Sequence, residues 1–369
     1  MPNLKLVTSP AELSEVCSLL MNEPVIAVDT EFFWERTFYP ILGVVQLATE
    51  NGDCYLIDTI VLKDTKELAP VLENKNIVKI FHDAPQDLGI IAIATGATPC
   101  NIFDTRTSAG FAGFESITSL QNLLKQTLDI NLPKSETRSN WIKRPLTEAQ
   151  ISYAADDVLY LPALREYLIK ACTDSTVRKW MEEENSLLDN PGTFNERDPW
   201  EMYKRVKGSS RLKARQLAVL RELAAWREKK ARRRDLPRNR VLQNTTLIDL
   251  ARKVPSDITA ARSVNDFPQK MPVGVVTELL NAIQRGMECP DAECPKAAED
   301  NTDRRNNLKV QTKELLSHIQ VECEQQKIDA ALVASRADAE AYILNKKENA
   351  PTLKLNNGWR REIVAGWPQ

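Results

Sequence analysis

The run Val25-Ile26-Ala27-Val28-Asp29-Thr30-Glu31 constrains this chain more than any other stretch. Its apolar, β-branched residues suit a buried strand, and that strand ends in two acids spaced two apart, which share one face. Paired carboxylates on a central strand repel each other and resist desolvation, so a fold that places them there must gain something from them. A divalent cation is the usual gain. Two further acidic motifs follow in the chain: Asp87 in HDAPQD (82–87), and Tyr153 with Asp157 in YAADD (153–157). These acids become chemistry only if the fold gathers them at the end of the strand.

The surrounding pattern is that of an α/β domain. Ser9-Pro10-Ala11-Glu12 has the form of a capping box and predicts a helix over about 10–21. Leu42–Ala48 and Cys54–Ile57, joined by Glu50-Asn51-Gly52-Asp53, predict a hairpin. Ile77–Phe81 reads as another buried strand, after which Asp83-Ala84-Pro85-Gln86 opens a helix carrying Asp87 in its first turn. Open α/β sheets put their sites at such strand-to-helix junctions. Asn101–Asp104 is a short strand candidate, with helices expected near 106–112 and 117–128. Thr147-Glu148-Ala149-Gln150 is a second capping box, starting a helix expected to continue to about 171. Tyr153 and Asp157, four apart, then share a helical face; Asp156 is nearly as close in angle, and spacing does not choose between the two acids. A hairpin followed by strand and helix alternation predicts a mixed sheet.

Beyond Asn190-Pro191-Gly192 the pattern is helical only, with Leu212, Leu217, Leu220, Leu223 and Trp226 at helical spacing. A break is expected at Leu236-Pro237, with later helices near 245–254 and 272–286 and a last helical segment over about 305–348. The net charge of −2 conceals fifteen Lys or Arg against three acids between Lys204 and Arg240. Such a cluster is expected to face a polyanion. A length of 369 residues, with 43% hydrophobic and 27% charged residues, fits two or three soluble domains. No apolar run reaches the ~20 residues of a membrane span, and the beginning lacks a secretion-signal pattern, so a cytoplasmic location is expected. Seven scattered cysteines without a Cys-x-x-Cys pair, and only two histidines, argue against structural zinc. Cys289 and Cys294 are expected in an exposed, Pro-containing linker.

Separated acids of this kind suit phosphodiester hydrolysis with two hard cations about 4 Å apart, since carboxylates ligate both ions and a tyrosine hydroxyl orients the attacking water. VDTEF, HDAPQD and YAADD, in that order, resemble the three motifs of the tyrosine-bearing branch of DEDD-superfamily exonucleases. RTFYPILGVVQLA (36–48), IFDTRTSA (102–109) and LPKSETRSNWIKRPLTEAQISYAADDVLYLPAL (132–164) resemble bacterial ribonuclease D more narrowly. RQLAVLRELAAWREKKARRRDLPRNRVL (215–242) resembles an HRDC domain, a helical nucleic-acid-binding module. The resemblance implies a ribonuclease H-like nuclease domain over 1–175, a helical connection over 176–207, a first HRDC domain over 208–288, a linker over 289–304 and a second HRDC-like domain over 305–369.

It also implies a 3′ to 5′ exoribonuclease that releases nucleoside 5′-monophosphates, with precursor transfer RNA bearing a single-stranded 3′ end as the expected partner; a monomer is expected, although the sequence itself does not give the oligomeric state. Asp29, Glu31, Asp87 and Asp157 become the ligands of two divalent ions, Mg2+ or Mn2+, and Tyr153 the water-positioning group. The family pattern, Tyr-x-x-x-Asp, selects Asp157 over Asp156. Candidate RNA contacts are Phe32, His82, Lys134, Arg138, Trp141 and Arg144, although for His82 the favoured reading is a structural ring hydrogen-bonded beneath the site. Lys229, Lys230, Arg232, Arg233 and Arg234 form the expected exposed nucleic-acid patch of the helical part. Gln46 and Asp104 are expected to support the fold around the site. A DNA exonuclease using the same acids, and an RNA-binding chaperone with little hydrolysis, are the alternatives. A helicase is disfavoured because no G-x-x-x-x-G-K-[ST] loop is present.

Overall fold

A computed structural model describes residues 3–133, 136, 139–194, 196–297, 302–345 and 353–367. They form two compact units, one of Met1–Phe33, Leu42–Asn195 and Thr302–Gln369, the other of Trp34–Ile41 and Glu196–Asn301.

The first unit is built on a six-stranded mixed sheet: β1 (Leu4–Val7), β2 (Val25–Phe33), β3 (Ile41–Thr49), β4 (Cys54–Asp58), β5 (Val78–Phe81) and β6 (Ile102–Asp104). The spatial order is β1-β4-β3-β2-β5-β6. β3 and β4 pair antiparallel, as the hairpin reading requires, whereas β1 pairs parallel with β4, β2 with β5 and β5 with β6. Between the strands lie α1 (Pro10–Leu20), α2 (Thr59–Leu62), α3 (Ala69–Glu73) and α4 (Pro85–Thr95). After β6 come α5 (Thr105–Phe111), α6 (Leu120–Leu128), α7 (Glu148–Leu159), α8 (Leu161–Ala171) and α9 (Ser175–Ser186).

Alternation along β2 sets the location of the site. Ile26 and Val28 pack with Leu13, Val16 and Leu20 of α1 and with Leu88 and Ile91 of α4. Val25 and Ala27 face the other core, with Ala154, Ala155 and Val158 of α7 and Leu164 of α8. Continuing that period, Asp29 and Glu31 emerge on the α7 side. Both capping boxes are present, at Ser9 and at Thr147.

Two local expectations need correction, and one element carries no expectation. The helix begun at Thr147 does not run unbroken to 171, because Pro162, which has no N–H to donate, falls in the first turn of a new helix that starts after Tyr160. The segment over 305–348 is two helices, α15 (Thr302–Gln326) and α16 (Arg336–Asn345), the first ending before Lys327 at a φ of 55°. β1 has no local signal: four residues of alternating character become a strand by parallel pairing with β4, some fifty residues away.

In the second unit, α10 (Ala214–Arg234) packs against α12 (Asn244–Lys253) and α14 (Val273–Glu288), with the shorter α11 (Arg238–Val241) and α13 (Ile258–Arg262) between them. Leu217, Leu220 and Leu223 form its core with Leu247, Leu250, Leu279 and Ile283. Asp235, left-handed at a φ of 47°, ends α10 and accepts hydrogen bonds from the Phe38 and Tyr39 amides at 2.9 and 3.0 Å. The segment that continues β2 is thereby held within the helical unit.

The last helices pack into the first unit. The Trp359 indole of α17 (Gly358–Val364) stacks on Trp180 at 5.7 Å and donates to Glu184 at 2.9 Å. Arg360 meets both oxygens of Glu184 at 2.5 and 2.6 Å and also donates to the Leu332 carbonyl. With both side chains largely buried, Arg360→Ala leaves an uncompensated carboxylate. It is expected to lower unfolding free energy by about 3–5 kcal/mol in urea titrations, and an effect comparable to that of an exposed pair would contradict this role.

Candidate active site

β2 supplies Asp29 and Glu31 and α7 supplies Asp157, and one carboxylate oxygen of each lies within 4.8 Å of the other two. Asp156 is not part of that group, although its charge is felt both by Asp157 and by the Cys54 thiol on β4. Asp87 is buried in the first turn of α4 and accepts a hydrogen bond from the Thr30 hydroxyl, which projects from β2 between the two acids. Tyr153, one turn before Asp157, donates its hydroxyl to that carboxylate, and its ring lies 6.0 Å from Trp141.

Crowding shows in the proton affinities. Burial first, then the charges of Asp87, Asp157 and Glu31, push the Asp29 carboxyl well above its ordinary value. Glu31 is pushed up to about 9 by burial and by Asp157 and Asp87. Asp87 and Asp157 are raised as well, chiefly by burial, against the opposing hydrogen bonds from Thr30 and Tyr153. A hard divalent cation fits this donor set, because it replaces the protons that the acids otherwise need.

Supporting residues fix the approach of α4. Asp104 is buried, accepts from the Asp83 and Ala84 amides at 3.2 and 2.9 Å, and caps α5 through Arg106 and Thr107. One carboxylate thus orders the turn before Asp87 and the next helix start. Gln46 is fully buried on β3. His82 reads as structural: the Thr105 hydroxyl donates to the Phe81 carbonyl, so it accepts from His82 Nδ1 at 3.0 Å. Burial pushes the imidazole down to about 4, which leaves it neutral at physiological pH.

Several expected RNA contacts are placed otherwise. Trp141 is 1% exposed and belongs to the core, since indole area is better spent there than in water. Arg144 is saturated by Asp58 at 2.5 Å and by the Gly43, Trp141 and Lys143 carbonyls, each at 2.8 Å, leaving little for a phosphate. Phe32 is half-buried against the α1-side core. Lys134 and Arg138 lie outside the described residues. In the helical unit, Lys229, Arg233 and Arg234 are exposed. Lys230 is buried against Glu278 at 2.8 Å, and Arg232 is held by Glu228 and Glu196, so the expectation of five exposed cations is corrected for these two. Lys229 lies 4.5 Å over the ring of exposed Trp200, in a groove of about 230 Å3 also lined by Trp226 and Arg233.

The motif acids alone do not single out Thr30, although a hydroxyl between two acids at a strand end is a usable signal. Asp58, the partner of Arg144, had none, because the two are joined across 86 residues.

Residues 4–172 match the family model for the 3′-5′ exonuclease domain and residues 216–283 that for the HRDC domain. Over 369 residues the chain is 35% identical to ribonuclease D of Desulfotalea psychrophila, covering 99% of this chain and 97% of that protein. The chain belongs to the ribonuclease D family. Ribonuclease D of Pseudomonas paraeruginosa is also 35% identical, over 297 residues, with 80% and 78% covered. The crystal structure of Escherichia coli RNase D superposes with a TM-score of 0.85 at 29% identity, covering 100% of both chains. As a ribonuclease D family member, the chain is a hydrolytic 3′-5′ exoribonuclease acting on RNA, and its exonuclease domain implies use of divalent metal. Among the described residues, no helix is long and apolar enough to cross a membrane.

Because these carboxyls titrate above their unfolded values, the folded state binds more protons than the unfolded chain, and stability falls as pH rises through that window. For Glu31 the window runs from 4.5 to about 9. In the presence of chelator, the melting temperature is expected to fall across this range, and Mg2+ should raise it more at the alkaline end than at the acid end. An Mg2+ shift independent of pH would contradict ligation by these acids.

Proposed function

We propose that this chain trims RNA 3′ ends one nucleotide at a time by two-metal hydrolysis, releasing nucleoside 5′-monophosphates. The convergence of Asp29, Glu31 and Asp157, with Tyr153 hydrogen-bonded to the last, is the observation that carries the reading. Asp29, Glu31, Asp87 and Asp157 are the proposed ligands. Two divalent ions, Mg2+ or Mn2+, supply Lewis acidity toward the scissile phosphate and the attacking water. The Tyr153 hydroxyl holds that water in line and steadies the Asp157 carboxylate; Thr30 steadies Asp87 in the same way. Burial of the acids keeps bulk water from screening their charge.

The substrate class is precursor transfer RNA with a single-stranded 3′ end. The description of the Escherichia coli enzyme as acting in structured RNA processing supports this choice. Lys229, Arg233 and Arg234 bind phosphate, and Trp200 offers a stacking face beside them. The nuclease domain spans 1–175 and the first HRDC domain 208–288, joined by 176–207. A linker over 289–304 leads to residues 305–369, a second HRDC-like domain. The enzyme works as a cytoplasmic monomer.

Asp29→Asn is expected to lower turnover by at least a hundredfold while RNA binding changes little; loss of binding in parallel with turnover would overturn the assignment. Matched RNA and DNA strands labelled at one end test the sugar, and faster digestion of DNA would favour a deoxyribonuclease. Replacing Lys229, Arg233 and Arg234 together by alanine should flatten the dependence of RNA affinity on salt. An unchanged slope would return these cations to a solvated face.

A further inference from the structure

α14 ends at Glu288, and the chain then turns through Cys289, Pro290 and a short 3-10 segment, Asp291–Glu293, to Cys294. Within this turn the Cys294 thiol lies 3.9 Å from the Cys289 carbonyl and hydrogen-bonds the Cys289 side chain. Two arginines of α10 hold the turn. Arg221 donates through Nη2 to Cys289 Sγ at 3.3 Å and through Nη1 to the Glu293 carbonyl at 3.2 Å. Arg215 donates to the Met287 carbonyl at 3.0 Å, to the Cys289 carbonyl and to Asp291. Both sulfurs belong to half-exposed residues, whereas Cys17, Cys54, Cys172 and Cys323 are buried. Cys100 is half-exposed but solitary, its thiol donating to the Glu73 carbonyl at 3.1 Å.

We propose that Cys289 and Cys294 form a reversible thiol-disulfide site that takes low-molecular-weight disulfides such as oxidised glutathione. The two guanidiniums oppose a cation at the pair, so a soft-metal site is the poorer use of the same atoms. Cys289 Sγ, which accepts from Arg221, loses its proton and attacks one sulfur of the oxidant to form a mixed disulfide and expel the other glutathione as its thiolate. Cys294 Sγ then attacks the Cys289 sulfur, forming the intramolecular bond and expelling the second glutathione. Two electrons and the two thiol protons pass to the oxidant, giving two molecules of reduced glutathione. The new bond closes the turn that ends α14, which Arg215 and Arg221 already hold to α10.

The full chain, incubated in glutathione buffers of graded oxidation, alkylated and digested, provides the test. The expected result is a peptide spanning 289–294 that is lighter by two hydrogens and unalkylated, restored by dithiothreitol, at poises where Cys100 remains fully alkylated. Cys294→Ser should instead trap glutathione on Cys289, Cys289→Ser should leave Cys294 alkylated, and Arg221→Ala should slow oxidation severalfold. Cys289 and Cys294 alkylated to the same extent as Cys100 at every poise, or stable glutathione on both in the unaltered protein, would overturn the proposal.

Discussion

Mutual repulsion among crowded carboxylates, Asp87 buried and the other three half-buried, is the constraint around which the first unit is organised. Asp29, Glu31, Asp87 and Asp157 come from a strand and two helices that are far apart in sequence, and burial raises the proton affinity of each. A fold that packs acids this way without compensation loses stability at neutral pH. The Thr30 and Tyr153 hydroxyls relieve a little of it, each favouring the charged form of one acid. The remainder is an electrostatic demand that a divalent cation meets, and the same demand makes the site useful, since the field is already aimed before substrate arrives.

Holding the acids against their repulsion requires rigid neighbours. β2 lies inside the sheet between β3 and β5, so Asp29 and Glu31 ride on a strand fixed on both edges. Asp104 fixes the turn before Asp87 by accepting amides from two helix starts, and Arg144 ties Asp58 on β4 to the segment before α7. The Thr147 cap and the α7 core residues then set the register of Tyr153 and Asp157. Arginine and aspartate at these points serve shape more than recognition, and Arg144, a cation beside a nuclease motif, is taken up by Asp58 and three carbonyls.

Much of this was legible in the sequence because the signals are local. The Val25–Glu31 run, the β3–β4 hairpin, both capping boxes and the strand-to-helix step before Asp87 depend on neighbours within a few residues, and each formed where expected. The choice of Asp157 over Asp156 was not a local matter. Both lie close to the face of Tyr153 on the helix, and only the packing of α7 against β2 and β4 brings Asp157, and not Asp156, to Asp29 and Glu31. Non-local pairing also hid β1, the Thr30–Asp87 bond and the burial of Trp141 and Lys230, whose partners lie tens of residues away. A basic run shows charge density but not which cations find acids in three dimensions, and Lys229 and Lys230, adjacent in sequence, differ on that point.

The central claim is that four acids and no others hold the reactive ions, and anomalous diffraction from a crystal soaked in Mn2+ tests it most directly. The account predicts two peaks about 4 Å apart, both within ligand distance of Asp29 and shared among Glu31, Asp87 and Asp157, with Asp156 uninvolved. Peaks that bypass Asp29, that recruit Asp156 in place of Asp157, or that fail to appear at saturating Mn2+ would contradict it.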